Sequence, residues 1–421
     1  MSARRRITVA GYVVTGSWCW VLYAYGAVLQ LLRVEQGTAR AITGMHSLGL
    51  AAGSVVTGLL ADPLVRRLGR RRLLVAAFVT SSVGLCAFCL PLGPAWTVPS
   101  AVVLGTGGAM TVVAWLPVAG MTFGPAAPAV LSRWLAAAAA VGIVAPLVVG
   151  ASVGAGLGWR SGLLVAVALF AAAVALLLRI PAGTPAFDGP APPQPAPPPE
   201  PEPPPEPEPA PRQEPVPEHA PRGRGIPRPA RRPVALVVTL IAIEFCCTAW
   251  VTDLLAQRTG LSLAAAASAV TAVLAGMTVA RAVVGRLALL YQPRLLLAGS
   301  FLLTAVGWAV AWFVTAPAPA LAGLLVVGLG IGGQYPLGVG LVLDAARGAE
   351  DRTVGAMSIG IGVGSGLGPF VLGALADARG THTAFLVVPV LVVACLLLLG
   401  VPPRPVRLAR DREPADASAV A

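Results

Sequence analysis

Long runs of apolar residues, separated by short polar connections, dominate this chain. Twelve such runs of roughly 18 to 25 residues occur, each long enough to cross about 30 Å of hydrocarbon as a helix. Only helices and closed barrels satisfy their backbone in lipid, and these runs lack the alternation of short strands. The pattern predicts an all-α integral membrane protein with spans at 7–31, 41–62, 73–92, 97–120, 129–154, 161–179, 234–255, 263–287, 294–314, 320–343, 354–376 and 383–401.

The two halves of the chain repeat each other at an offset of 223 residues. Leu31 falls on Leu254, the glycine run that begins at Gly105 falls on the one near Gly328, and Pro146 falls on Pro369. One register therefore holds across three distant landmarks and predicts two related bundles of six helices. In membrane proteins, parallel repeats of this kind enclose a binding cavity at their interface near the bilayer midplane.

The domain boundaries follow from an abrupt change of composition in the middle. Residues 1–182 and 234–401 are the two expected bundles, 183–233 a linker, and 402–421 a tail. Proline at the density found in 190–211 excludes helix and sheet and favours extended polyproline II. We predict a disordered cytoplasmic tether, with a docking site for a proline-binding partner as the alternative.

The distribution of charge predicts the orientation. A net charge of +12 would suggest a nucleic-acid partner in a soluble protein, but here the 30 basic residues, all arginine, cluster in alternate connections. Three precede span 1 and five follow span 2. The opposite side has only five, namely Arg33, Arg40, Arg160, Arg258 and Arg379. This positive-inside bias predicts a multi-pass protein of the cell membrane with both termini in the cytoplasm, and no nucleic-acid partner.

All six cysteines fall inside predicted spans. They are expected to be free, buried thiols, because an apolar helix without a nearby histidine offers no metal framework even where Cys86 and Cys89 have CxxC spacing. No metal or cofactor is predicted.

The loop after span 2 carries a family signature. Gly58 and Asp62 are followed by Arg67, Gly69, Arg70 and Arg71, and this run resembles the loop 2–3 signature G-x-L-x-D-R-x-G-R-R of the major facilitator superfamily, with four extra residues after the acid. The second half has Gly285 and Arg294 at the family spacing, but Leu289 replaces the acid. Twelve spans, a central cytoplasmic loop and two related halves fit the same family.

The resemblance implies a role for these residues. In the family, the acid at the end of span 2 faces the start of span 11, where exposed backbone N–H groups carry partial positive charge. Asp62 with the arginine cluster would then latch the two halves together on the cytoplasmic side during alternating access. The alternative is that these arginines only set topology.

Glycine and proline within the spans agree with this resemblance. Gly105 and Gly328 open runs that allow close helix approach, and Pro146 and Pro369 are expected to bend spans 5 and 11. Their surroundings partly resemble the antiporter signature of the family. Ala101 and Leu104, however, occupy the Arg and Gln positions of the span 4 motif found in proton-coupled drug exporters, which weakens the assignment to that class.

Two ionisable residues lie well inside spans. Glu244 is about ten residues into span 7, near the midplane, and Arg281 is about one helical turn away in depth on span 8. A charge at such depth is costly unless it is paired or hydrated, so it usually faces a cavity. We expect Glu244 to bind a proton or a cationic or hydroxylated group and Arg281 to hold it ionised or to capture an anion. The alternative is a static ion pair.

Further candidates are polar or aromatic. Gln334 and Tyr335 in span 10 could hydrogen-bond a ligand or a neighbouring helix, and His46 is either a packing residue or a proton-handling group. Four aromatic residues are expected to form a wall for an apolar or cyclic solute: Tyr23, Tyr25, Trp115 and Trp250.

Together these patterns predict a monomeric secondary transporter that moves a small organic solute by alternating access, with proton coupling left open. The low charge of the spans favours efflux of an apolar or amphipathic compound, and uptake of a sugar or organic anion is the alternative. A transporter-like sensor is a third possibility. A polytopic membrane enzyme is disfavoured, because no Asp-x-x-Asp pair or histidine cluster appears, and the absence of a Walker-type loop argues against ATP hydrolysis.

Overall fold

A computed structural model describes residues 3–124, 127–188, 226–288, 290–346 and 350–400. These residues contain twelve helical spans long and apolar enough to cross a membrane, and no strand, which confirms the predicted fold class. Nine spans are single helices: Ala3–Gln36, Arg40–Leu59, Ala61–Phe88, Pro94–Phe123, Ala127–Gly154, Gly158–Leu178, Arg228–Arg258, Pro293–Phe313 and Glu350–Arg379. Three spans are interrupted: span 8 (Leu263–Ser268, Val270–Leu287), span 10 (Pro317–Gly332, Gln334–Ala345) and span 12 (Thr381–Ala384, Val387–Leu399).

Several helices are longer than their apolar runs. Span 1 extends to Gln36, and span 7 begins at Arg228, inside the region predicted to be linker. Pro185–Asp188 also forms a short helix, with Phe187 buried against span 4. The predicted polyproline tether at 190–211 and the tail at 402–421 lie outside the described residues.

Corresponding glycines make the same contacts in both bundles, so the repeat is visible at the level of atoms. A methyl group on Gly105 would lie 2.1 Å from the carbonyl oxygen of Leu50, and one on Gly328 would lie 2.0 Å from that of Val273. Leu50 and Val273 are themselves 223 residues apart. Only a residue without a side chain permits these helices to approach so closely.

A second pair of equivalent contacts joins the same helices, spans 2 and 4 in the first bundle and spans 8 and 10 in the second. A methyl group on Gly53 would lie 2.2 Å from the oxygen of Val102, and one on Gly276 would lie 2.1 Å from that of Leu325. Each bundle therefore packs by one set of small-residue contacts, inherited by both halves.

The bundles join mainly through spans 1 and 7, spans 2 and 11, and spans 5 and 8, and span 1 also contacts span 8. Arg6 donates a hydrogen bond to the carbonyl oxygen of Arg179, which places the start of span 1 beside the end of span 6. Gly400 and Pro229 line one pocket, so the end of span 12 lies beside the start of span 7. We call this end of the molecule the linker end, because Ala3, Gly400 and the described residues on either side of the linker lie there, and we call the other the opposite end.

Candidate solute site between the two bundles

A cavity of about 170 Å³ lies between the two bundles. Its aromatic and aliphatic lining includes Trp18, Tyr23 and Tyr25 from span 1 and Phe245 from span 7, and hydroxyl groups come from Ser47, Ser54, Thr248 and Ser365. Glu244 is the one acidic group among its described lining residues. The arrangement combines apolar walls with a few hydrogen-bonding groups, which is typical of small-molecule sites.

The two bundles present equivalent faces to this cavity. Leu22, Tyr25 and Gly26 of span 1 correspond, at the 223 offset, to Phe245, Thr248 and Ala249 of span 7, and all six line it. Val21 corresponds to Glu244 and is fully buried instead. The two bundles therefore present similar faces to the cavity, but only the second bundle contributes a carboxylate from this pair of equivalent positions.

Glu244 and Arg281 come together as their depths predict. The Arg281 Nη2 atom lies 4.0 Å from the Glu244 Oε1 atom. The Glu244 side chain is 11% exposed, whereas that of Arg281 is 42% exposed. The hydroxyl group of Tyr23, from the other bundle, lies near Arg281. The ion pair itself is long, and it joins a mostly buried carboxylate to a half-exposed guanidinium group.

A second cavity, of about 690 Å³, lies nearer the linker end. Trp18 and Ser54 line both cavities, so the two adjoin. Its walls come from spans 1, 2, 4 and 11 and include the exposed residues Gly58, Leu59 and Ile359. None of its described lining residues is charged.

Spans 2 and 11 explain why this second cavity exists. Nearer the opposite end their backbones touch: a methyl group on Gly44 would lie 2.6 Å from the Cα atom of Phe370. Contact continues as far as Val55 and Gly362. Beyond that point the cavity lies between the two helices, so the pair separates toward the linker end.

Polar groups join the bundles at the opposite end. The carboxylate of Asp253, at the end of span 7, is 1% exposed. It accepts hydrogen bonds from Gln30 and Arg33 of span 1 and from Arg40 of span 2, the last at 2.8 Å. Gln30 and Asp253 are 223 residues apart, so equivalent positions of the two halves meet face to face. The hydroxyl group of Thr381 on span 12 donates to the same carboxylate.

A second carboxylate strengthens this closure. Asp377, near the end of span 11, accepts hydrogen bonds from the backbone N–H groups of Arg40 and Ala41 at 2.8 and 2.7 Å. These groups begin span 2, where a negative charge also complements the helix dipole. We call Asp253, Asp377 and their four partner side chains Gln30, Arg33, Arg40 and Thr381 the opposite-end network.

Comparison with known proteins supports the architecture. The sequence model described as Major Facilitator Superfamily matches residues 9–254 and again residues 234–421.

This chain belongs to the major facilitator superfamily.

Solved structures share its fold. A nucleoside transporter, NupG, has a TM-score of 0.71 at 13% identity and covers 94% of this chain and 100% of its own. A bacterial homologue of the human lysosomal transporter Spinster, in an inward-facing and unoccupied conformation, has a TM-score of 0.69 at 12% identity over 95% and 96%. A bacterial homologue of the human drug peptide transporters PepT1 and PepT2 has a TM-score of 0.69 at 11% identity over 94% and 97%. No curated protein matches the sequence. The family establishes a transporter of some solute.

One residue of the family's loop 2–3 signature, Arg71, makes contacts within its own bundle. Arg71 donates hydrogen bonds to the carbonyl oxygens of Leu177, Ile180 and Pro181 at the end of span 6, within its own bundle. Gly58 and Gly285 have open space where a side chain would be, and Gly58 lines the linker-end cavity. The latch remains a prediction: the side chain of Asp62 lies outside the described residues.

The signature glycine has a backbone role. Gly69 has φ +70° and ψ 159°, inside the helix Ala61–Phe88. Side chains rarely adopt such a conformation, so glycine allows the chain to turn into the arginine-bearing part of span 3. Arg67 and Arg70 flank this turn, and Arg294 lies in the first turn of span 9.

Other predicted site residues lie away from the cavities. Both ring nitrogens of His46 have partners, with Nε2 2.8 Å from the Thr97 hydroxyl group and Nδ1 3.0 Å from the Ile42 oxygen. The structure therefore shows a packed histidine within the first bundle. Gln334 is fully buried and donates to the Thr304 hydroxyl group at 2.9 Å, a contact between helices of the second bundle.

Two of the four aromatic residues expected to form a wall lie at the central cavity, and two do not. Tyr23 and Tyr25 line the central cavity, but Trp115 is buried beside Trp134 with ring centroids 5.3 Å apart. Trp250 is also buried and donates to the carbonyl oxygen of Pro369 at 2.9 Å, which ties span 7 to span 11. Neither tryptophan lines the two cavities described above.

Trp18 and Phe245 take their place, and sequence reasoning missed both. The spacing 18, 22, 25, 29 marks one helical face of span 1 and could have indicated Trp18. Pro146 and Pro369 lie within helices, and the bend expected at each of them stays a prediction. Tyr335 is 39% exposed and close enough to interact electrostatically with Glu244, although it does not line either cavity.

Proposed function

We propose that this protein is a secondary active transporter that exports a small apolar or amphipathic organic compound by alternating access. The arginine-rich linker end faces the cytoplasm under this proposal, following the positive-inside bias. The structure then corresponds to the state open to the cytoplasm, because spans 2 and 11 separate at the linker end and the opposite-end network is closed. In this state the site is reachable from inside the cell.

The single observation that carries the proposal is Glu244, which lies in a cavity walled by both bundles. A carboxylate at this depth is energetically costly unless it is paired or hydrated, so such a residue usually serves a function. Its contact with Arg281 is long and has no accompanying hydrogen bond among the described residues. Glu244 therefore binds the cationic or hydroxylated end of the solute, or a proton, while Arg281 holds the carboxylate ionised between cycles.

The walls define the rest of the solute. The larger cavity toward the linker end has an uncharged described lining with valines, an isoleucine and a tryptophan. A strongly polar solute would lose its hydration there without compensation. An amphipathic compound loses little, because its apolar part lies against these walls and its polar end reaches Glu244.

Uptake of an organic anion is the second candidate, and the exposure of Arg281 favours it. A guanidinium group that is 42% exposed beside a cavity binds a carboxylate or phosphate well. Sidedness separates the two directions. In vesicles of defined orientation, export requires solute accumulation in inside-out vesicles, and uptake requires accumulation in right-side-out ones.

The test begins with a thermal-shift screen of the purified protein against a metabolite and drug-like library at two pH values. The compound with the largest shift is then assayed for transport in proteoliposomes with an imposed pH gradient. We expect Glu244→Gln to abolish or strongly reduce transport of that compound and its stabilising shift. Glu35→Gln is the matched control, because it neutralises a carboxylate that pairs with Arg160 at the opposite end, within one bundle. Wild-type transport by Glu244→Gln and by Arg281→Ala would leave the pair as a static ion pair and overturn the proposal.

A further inference from the structure

A separate pocket of about 560 Å³ lies at the linker end of the second bundle. Its walls come from the start of spans 7 and 9 and the end of spans 10 and 12. Because these are all helix ends, the pocket is at the depth where a membrane's headgroups meet its hydrocarbon. It shares no lining residue with either of the two cavities between the bundles.

The rim of this pocket is charged. Arg232, Arg294 and Asp344 all line it and are all exposed. Among the described residues, none of the three has an ion-pair or hydrogen-bond partner, although charges of both signs surround one space. Two cationic groups and one anionic group thus remain available to a ligand.

The floor of the pocket is apolar. Leu236 and Leu399 are almost fully buried beneath it, and Leu341 and Leu398 contribute half-buried side chains. A ligand that fits must therefore carry charge at one end and hydrocarbon at the other. A free inorganic ion would use the rim and leave the floor exposed.

We propose that this pocket binds the headgroup of a zwitterionic phospholipid whose amine is primary, as in phosphatidylethanolamine. The guanidinium groups of Arg232 and Arg294 bind the phosphate, since arginine matches phosphate geometry and attracts anionic headgroups. The carboxylate of Asp344 accepts hydrogen bonds from the ammonium group. The acyl chains lie along the leucines of the floor.

Asp344 decides between lipid classes. A purely anionic headgroup gains from the two arginines but is repelled by this carboxylate. A choline headgroup carries a positive charge but has no N–H to donate. A primary ammonium next to a phosphate satisfies all three side chains, so this lipid is preferred to both others.

Native mass spectrometry of the full-length protein, delipidated and then mixed with equal amounts of phosphatidylethanolamine, phosphatidylcholine and phosphatidylglycerol, tests the proposal. The wild type is expected to retain phosphatidylethanolamine above the other two. Each of Arg232→Gln and Arg294→Gln should lower that retention about fivefold, which corresponds to about 1 kcal/mol per arginine. Asp344→Asn should remove the preference over phosphatidylglycerol.

Arg133→Gln is the control, because Arg133 is an exposed arginine at the linker end of the first bundle. The double variant Arg232→Lys with Arg294→Lys separates loss of charge from misfolding, since it should keep part of the retention and the wild-type melting temperature. Equal retention of the three lipids by the wild type overturns the proposal. So does a phosphatidylglycerol preference, or competition by inorganic phosphate alone. Lipid gained only when the chain ends at Gly400 would mean that the tail occupies the pocket, and would also overturn it.

Discussion

Single residues set how closely the helices of each bundle approach. Gly276 faces the carbonyl oxygen of Leu325, where an added methyl group would lie only 2.1 Å away, whereas a methyl group on Gly285 of the same helix meets nothing within 4 Å. We therefore expect Gly276→Ala to force spans 8 and 10 apart at a cost of about 1–3 kcal/mol. Gly285→Ala should leave stability nearly unchanged. Thermal unfolding of the two variants in the same detergent measures the difference, and equal melting temperatures would contradict the packing argument.

Depth in the membrane could be predicted for individual residues, but direction around the helix could not. Counting residues into spans 7 and 8 placed Glu244 and Arg281 within reach of each other, and the side chains meet at 4.0 Å. Trp115 and Trp250 also lie within spans, yet both point into helix contacts. A nearly uniform apolar span has no polar stripe to show which face meets the cavity.

The partner of Arg281 from the other bundle was also beyond the sequence. Tyr23 was expected only as part of an aromatic wall, but its hydroxyl group lies near Arg281. This contact requires knowledge of how span 1 lies against span 8. We expect Tyr23→Phe to keep the cavity shape and to weaken the hold on Arg281, which lowers the transport rate with little change in solute affinity. Proteoliposome rates over a range of solute concentrations give both quantities. Unchanged rates would restrict Tyr23 to a wall.

At the scale of helices, the opposite-end network joins the ends of spans 1 and 2 to those of spans 7, 11 and 12. Its arginines are among the few that the sequence places on the sparsely charged side. Arg33 and Arg40 are paired with Asp253, and a third, Arg160, binds Glu35. Three of the five arginines on the sparsely charged side are thus paired with carboxylates. The repeat predicted the bundles but not this contact, since Gln30 and Asp253 are equivalent positions with different side chains.

Removal of the buried carboxylate should release this closure. Asp253→Asn leaves Arg33 and Arg40 without their shared partner, which disfavours the closed opposite end and shifts the population toward the state open there. We expect about a tenfold increase in labelling of Leu29→Cys, in a background without other cysteines, by an impermeant maleimide added from that side; this corresponds to about 1.4 kcal/mol. Leu29 lines the central cavity.

Glu35→Gln serves as the comparison for this shift. It breaks an ion pair at the same end, but both partners belong to the first bundle, so the equilibrium between states should stay where it is. Equal labelling of the Asp253→Asn and Glu35→Gln proteins would show that the network seals nothing. Asp377→Asn should have a smaller effect, because an amide oxygen still accepts from one of the two N–H groups at the start of span 2.

At the scale of the whole molecule, the two bundles meet chiefly through the faces of membrane-spanning helices. Spans 1, 2 and 5 contact spans 7, 11 and 8, while the short helix Pro185–Asp188 packs on its own bundle. Each bundle also closes its own glycine contacts. We therefore expect the linker only to let the bundles rock relative to each other, whatever its composition. If the protein is instead a signalling scaffold, the particular sequence of the linker should matter.

Replacement of residues 190–220 by a Gly/Ser segment of equal length separates these roles. It keeps the reach of the tether while removing its proline stiffness and its glutamates. If the linker is passive, transport in proteoliposomes should stay within about twofold of the wild type, because rocking depends on the helix interface and not on tether composition. A chain without the segment is the harsher comparison, since it tests reach as well. Loss of transport in the equal-length replacement, with unchanged folding, would mean that the proline-rich sequence itself takes part in the transport cycle. The linker would then be more than a passive tether between two bundles.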